Sequence, residues 1–183
     1  MPILRIADQD DKTACELPDD FVVTAPSSHD YDCLGSSLGI RFKPGIRDKD
    51  GVAARLRSLG FVGPSSDADT DDNGLCIAVY DSGGGKAHVC KRLRAGWYES
   101  KCGAGLRIVH RLPPLTWGTS YGALLGNWVL ADIDIALSVL RGEHQNQQYS
   151  QPLQLVPLRD SSEEHGAALW ELVASLPVRA EAT

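Results

Sequence analysis

The sequence has no apolar run that approaches the ~20 residues a membrane-spanning helix needs, so no membrane partner is expected. It also has no C-x-x-C pair. Its five cysteines, Cys15, Cys33, Cys76, Cys90 and Cys102, are odd in number and irregular in spacing. A zinc ribbon is therefore excluded, and reduced thiols are the simpler expectation. No basic start followed by an apolar stretch is present: Met1 to Asp11 quickly turns acidic. The expected location is cytoplasmic, or outside the cell by a route that needs no classical signal peptide.

Positive charge is also scarce. Eighteen Lys and Arg face 24 Asp and Glu, for a formal charge of -6 and a pI of about 5.3. A general nucleic-acid binder would show a basic face, so no nucleic-acid partner is expected. Lys91, Arg92 and Arg94 are too few for such a footprint and read as the exposed face of a hairpin. Two ligand-loop patterns fail on inspection. Asp69-Thr70-Asp71-Asp72-Asn73-Gly74 matches the first half of a calcium loop, but Tyr80 stands where the bidentate acid belongs. Gly83-Gly84-Gly85-Lys86 lacks the first glycine of a phosphate loop, again at Tyr80, and is followed by Ala87 rather than Ser or Thr. No metal and no cofactor are expected.

What is present suits a single domain. The chain has 183 residues and is 43% hydrophobic, enough for a core without disulfides or metal. Phe21 to Thr24 reads as a short strand, and a short helix is expected from near Asp32 to Leu38, stopped by Gly39. Val52, Leu56 and Leu59 line one face of a helix over Gly51 to Gly60. Residues 63–74 form a polar acidic loop. Leu75 to Tyr80, Ala87 to Leu93 and Trp97 to Lys101 are expected as a three-strand antiparallel meander, with Arg107 to Leu112 as a further strand. Tyr121 to Val129 is ambiguous between strand and helix, and Ala131 to Leu140 reads as helix. A Gln-rich linker is expected over 142–152. Ser161 caps an amphipathic helix to Leu176, with Glu164 completing a capping box. The pattern is α+β. The expected organisation is a catalytic-type domain over 1–142, with 143–183 a linker and a helix packed on that same domain.

One constellation carries chemistry. Cys33 follows Tyr31-Asp32 and opens a short helix, where a helix dipole favours thiolate and the Cys33 N–H can face an oxyanion. A thiol nucleophile needs a base. His88, at the start of a strand after three glycines, is the natural partner. A third polar group would orient its ring. Pairing across the Ala95-Gly96 turn offers Ser100 or Glu99, which point to opposite faces, so the hairpin register decides between them. Tyr31 and Asp32 are candidates for oxyanion or substrate binding.

These segments resemble an uncharacterised bacterial family across residues 17–125. The matching residues are Tyr31, Cys33, Leu38, Gly39, His88, Trp97, Ser100, Lys101, Gly103, Tyr121 and Gly122. The chain departs from that pattern at Asp32, where the family has Asn, at Gly35-Ser36-Ser37, and at Glu99, which stands inserted before Ser100. The order Asp-Cys at a helix start, then His on following strands, is also similar to papain-like and NlpC-type cysteine peptidases. The resemblance implies a papain-like fold, with a cysteine-bearing helix packed on an antiparallel sheet. It also implies a thiol hydrolase acting on a peptide, isopeptide or glutamine side-chain amide of a protein or peptide substrate. The alternative is an inactive papain-like binding module serving as an immunity or adaptor protein.

Overall fold

The structure, a computed structural model, describes residues 4–15, 20–39, 45–65, 75–81, 83–94, 96–102, 105–111, 122–146 and 163–176. The calcium-like segment 69–74, the Ser161 cap and the family-matching Gly103 and Tyr121 lie outside the described residues.

Among the described residues eight strands form one antiparallel sheet: β1 (Arg5–Ile6), β2 (Val22–Ala25), β3 (Phe61–Ser65), β4 (Cys76–Asp81), β5 (Ala87–Arg94), β6 (Trp97–Lys101), β7 (Arg107–Arg111) and β8 (Leu124–Leu130). Their order is β1-β2-β7-β6-β5-β4-β8-β3. Among the described residues five helices accompany them: α1 (Gln9–Cys15), α2 (Cys33–Ser37), α3 (Lys49–Ser58), α4 (Ile133–Asn146) and α5 (Glu163–Ser175). The fold class is α+β. The expected meander is present and extended, because β7 joins β6 on one side and β8 joins β4 on the other.

Burial follows the pleat. Cys76 to Tyr80 of central β4 are buried in succession, as a strand covered on both faces requires. On one face Ile77, Val79, Val89 and Trp128 pack with Leu34 and Leu38 from the α2 segment, Val52 and Leu56 of α3, and Leu140 of α4. Farther along, α5 seats Leu169 and Val173 on Val22 and Val109. The opposite face carries Ala78, Tyr80, Cys90 and Tyr98. There Ala7 and Cys15 pack with Phe21, Val23 and Ile108.

Three elements differ from the sequence reading. The acidic lead-in contains α1, which is held by a reciprocal cap: Asp8 N–H donates to Asp11 and Asp11 N–H to Asp8, at 3.0 and 2.9 Å. The Arg5 guanidinium pairs with Asp11 as well. Residues 61–65 are a strand despite Gly63-Pro64, because β3 is the edge where a missing N–H costs no ladder bond. Helix α4 runs through Asn146, past the division expected at 142/143. Gly142 costs it only about 1 kcal/mol relative to Ala. Glu143 is gripped by both arms of the Arg55 guanidinium at 2.5 and 2.6 Å.

Candidate functional site

Helix α2 starts where expected. The Asp32 side chain caps it by accepting from the Gly35 N–H at 2.8 Å, and Gly39 leaves it at φ 70°. Helix α2 packs against β5 and β6. Cys33 is partly exposed as a residue, yet its sulfur sits among protein atoms, with the backbone N–H groups of Val89, Leu34 and Cys33 itself directed at it. Burial pushes the thiol up to about 11, and the Asp32 carboxylate adds to the rise while the N–H groups oppose it. The thiolate expected from a helix start is therefore not the resting form. Five residues make a short dipole, and desolvation outweighs it.

His88 lies one residue before Val89 on β5. Strand alternation turns it to the opposite face, since Val89 joins the helix-covered core. It is 5% exposed. Its Nε2 lies 3.5 Å from Ser100 Oγ, which is long for a hydrogen bond. Ser100 Oγ is 2.7 Å from His110 Nε2, and His110 Nδ1 is 2.5 Å from the Arg111 carbonyl.

The proton positions along this chain follow by elimination. The Arg111 carbonyl can only accept, so His110 Nδ1–H donates to it. Neutral His110 then accepts at Nε2, and Ser100 O–H donates there. With its proton spent on His110, Ser100 Oγ accepts from its other neighbours, the His88 Nε2 and the Cys90 thiol. Both rings are neutral at pH 7: burial lowers His88 to about 3, with the His110 ring adding to the drop, and burial lowers His110 to about 4.

The register settles which third residue meets His88. Beside the turn, Arg94 pairs with Trp97. Carried straight on, that register would set Glu99 opposite Arg92, on the face of His88. A bulge between Arg92 and Arg94 shifts the pairing by one, so Ser100 lies opposite Cys90 and Glu99 opposite Lys91. Glu99 points to the other face, 3.2 Å from Lys91 Nζ and 3.4 Å from Arg107 Nε. Burial acts to raise its pKa, but these two cations outweigh it and hold the carboxyl below its ordinary value.

Of the expected set, the structure brings His88 and Ser100 together. Among the described residues no hydrogen bond joins Cys33 to His88; the sulfur meets the Val89 N–H instead. Asp32 is occupied as a cap, and the Tyr31 ring lies over the Lys101 ammonium, 5.3 Å from centroid to nitrogen.

Two contributors escaped the sequence reading. His110 falls within the strand expected over Arg107 to Leu112, and the register that pairs it with Tyr98, two positions from Ser100, brings it to the hydroxyl. Lys101 is fully buried and donates to the Ser28 carbonyl at 3.0 Å and the Gly105 carbonyl at 2.5 Å. It thereby pins the loop that leads into Cys33. Among the described residues no group of three or more His, Cys, Asp or Glu is placed to hold a metal ion, and no helix is long and apolar enough to cross a membrane.

Residues 22–127 match the model of a family described as Domain of unknown function (DUF7689). The chain belongs to this family. The DUF7689 match runs from β2 into β8 and so includes Cys33, His88, Ser100, Lys101 and His110, while α1, α4 and α5 fall outside it. No curated protein and no solved structure matches the chain.

Proposed function

We propose that the chain is a cysteine-dependent amide hydrolase acting on a peptide bond, an isopeptide bond or a glutamine side chain. The observation that carries this reading is the His88–Ser100–His110 chain. It holds a neutral, buried imidazole one residue along β5 from the N–H that meets the Cys33 sulfur.

The resting thiol and imidazole are both neutral, so the proton moves as the bond forms. Cys33 Sγ attacks the carbonyl carbon and its proton passes to the His88 ring, which for this step swings from its resting place on the opposite face of β5 to the strand edge beside the sulfur. His88 then gives the proton to the departing amine or ammonia, and water hydrolyses the thioester. At rest Ser100 steadies the ring, and His110 holds Ser100. A papain-like arrangement of the cysteine helix on the antiparallel sheet belongs to the same proposal.

A second reading draws on a different observation. His88 is nearly sealed and the Cys33 thiol is held neutral. Both suit a non-catalytic binding module whose acidic surface makes protein contacts. Incubation with a peptide library rich in glutamine and lysine separates the two. The hydrolase yields new peptide termini or free ammonia, and Cys33→Ala yields neither. Equal signals from both proteins, or none from either, would leave the binding module.

A further inference from the structure

We propose that Cys15 and Cys102 form a reversible redox dithiol, a site separate from Cys33. Cys15 is the last residue of α1 and is 2% exposed; Cys102 directly follows β6 and is half-buried. The interaction between the two thiols, together with burial, holds the Cys15 thiol well above its ordinary range. Both belong to one cluster, with Ala7, Phe21, Val23 and Ile108 around them.

The backbone at Cys102 is fixed. Its N–H donates to the Leu106 carbonyl at 2.9 Å, and its carbonyl accepts from the Gly105 N–H at 2.7 Å. A side chain at Gly105 would strike that carbonyl at 2.8 Å, so the turn has little room to carry Cys102 away. The two cysteines therefore meet in one packed cluster, Cys15 from the end of α1 and Cys102 from just after β6. The neighbouring Lys101 ammonium opposes the rise at Cys15 without overcoming it.

The other cysteines have different surroundings. The Cys90 thiol lies against Ser100 and Tyr80, and the Cys33 sulfur against the Val89 N–H. Cys102, the more accessible member of the pair, meets the oxidant. With a peroxide, the Cys102 sulfur takes one oxygen to become a sulfenic acid and one water leaves. The Cys15 sulfur then attacks the Cys102 sulfur, forming the S–S bond and expelling the second water. Two thiols and one peroxide give one disulfide and two waters. Thiol–disulfide exchange with a small thiol reverses it.

The consequence is a covalent tie between α1 and the β6–β7 turn, beside the lysine that holds the Ser28 carbonyl. In residue terms it joins a helix outside the matched family region to a turn inside it.

The experiment treats the full chain with stoichiometric hydrogen peroxide and maps its peptides without reduction. The expected product carries a Cys15–Cys102 linked peptide, and the free-thiol count under denaturing conditions falls from five to three. Its Tm rises, and dithiothreitol reverses both changes. Cys33→Ala still forms the link. Cys102→Ser, at a half-buried position that tolerates the change, does not. Sulfinic acid at Cys102 with Cys15 still free would overturn the proposal, as would a link through Cys33, Cys76 or Cys90.

Discussion

Ser100 Oγ stands 2.7 Å from His110 Nε2 and 3.5 Å from His88 Nε2, so one hydroxyl joins two buried histidines from β5 and β7. Its single proton goes to His110, whose Nδ1–H in turn faces the Arg111 carbonyl.

Stability should fall with acid in a histidine window. Both rings have folded pKa values below the ordinary 6.5, about 3 for His88 and about 4 for His110. The unfolded chain takes up protons first. The stabilisation is complete above pH 6.5 and is lost as pH falls through the interval down to about 3. Within that interval each histidine costs up to about 1.4 kcal/mol per pH unit. Urea unfolding between pH 7 and pH 5 measures it. His110→Gln should flatten the slope. A stability constant between pH 7 and pH 5 would contradict the assignment.

Asp32 does two opposing things. It caps α2 through Gly35 N–H, and its charge raises the Cys33 thiol. Asp32→Asn keeps a good cap and removes the charge. The Cys33 thiol should titrate lower, and alkylation at pH 9 should be faster than in the wild type. Asp32→Ala should in addition cost about 1 kcal/mol of stability. Unchanged alkylation in Asp32→Asn would show that the carboxylate does not act on the sulfur.

Lys101 replaces solvent for two loop carbonyls. Lys101→Met keeps the length of the side chain and orphans the oxygens of Ser28 and Gly105. The expected loss is about 2–3 kcal/mol, read from urea midpoints. A larger rise in proteolytic cleavage over residues 26–31 than elsewhere would identify the entry to Cys33 as the part released. A neutral effect would contradict the pinning role.

Gly60 ends α3 at φ 79°, and a Cβ there would meet the Asp132 carbonyl at 2.9 Å. Gly60→Ala should therefore cost about 1–2 kcal/mol from the backbone conformation alone, more with the clash. Thermal unfolding checks it, and no change in Tm would contradict the turn geometry.

The extent to which these features were legible in the sequence follows from range. The α2 cap, the β4–β5–β6 meander and the α3 stripe are local patterns, and Asp32, Ala95-Gly96 and Val52-Leu56-Leu59 announce them. The choice between Ser100 and Glu99 depends on one bulge between Arg92 and Arg94, which no local pattern marks. His110 acquires its partner through the register of a third strand. Helix α1 hid among acids because its stabilising group, Asp11, pairs with Arg5 across a turn. The Cys33 titration was misread because helix position is visible in sequence and burial is not.

The central claim is that His88 takes the proton of Cys33. The most direct measurement is the rate at which a peptide vinyl sulfone labels Cys33, followed by mass spectrometry in the wild type and in His88→Ala at pH 7. The account predicts slow labelling in the wild type, because the resting thiol is neutral, and labelling at least tenfold slower again in His88→Ala. Equal rates in the two proteins would contradict it.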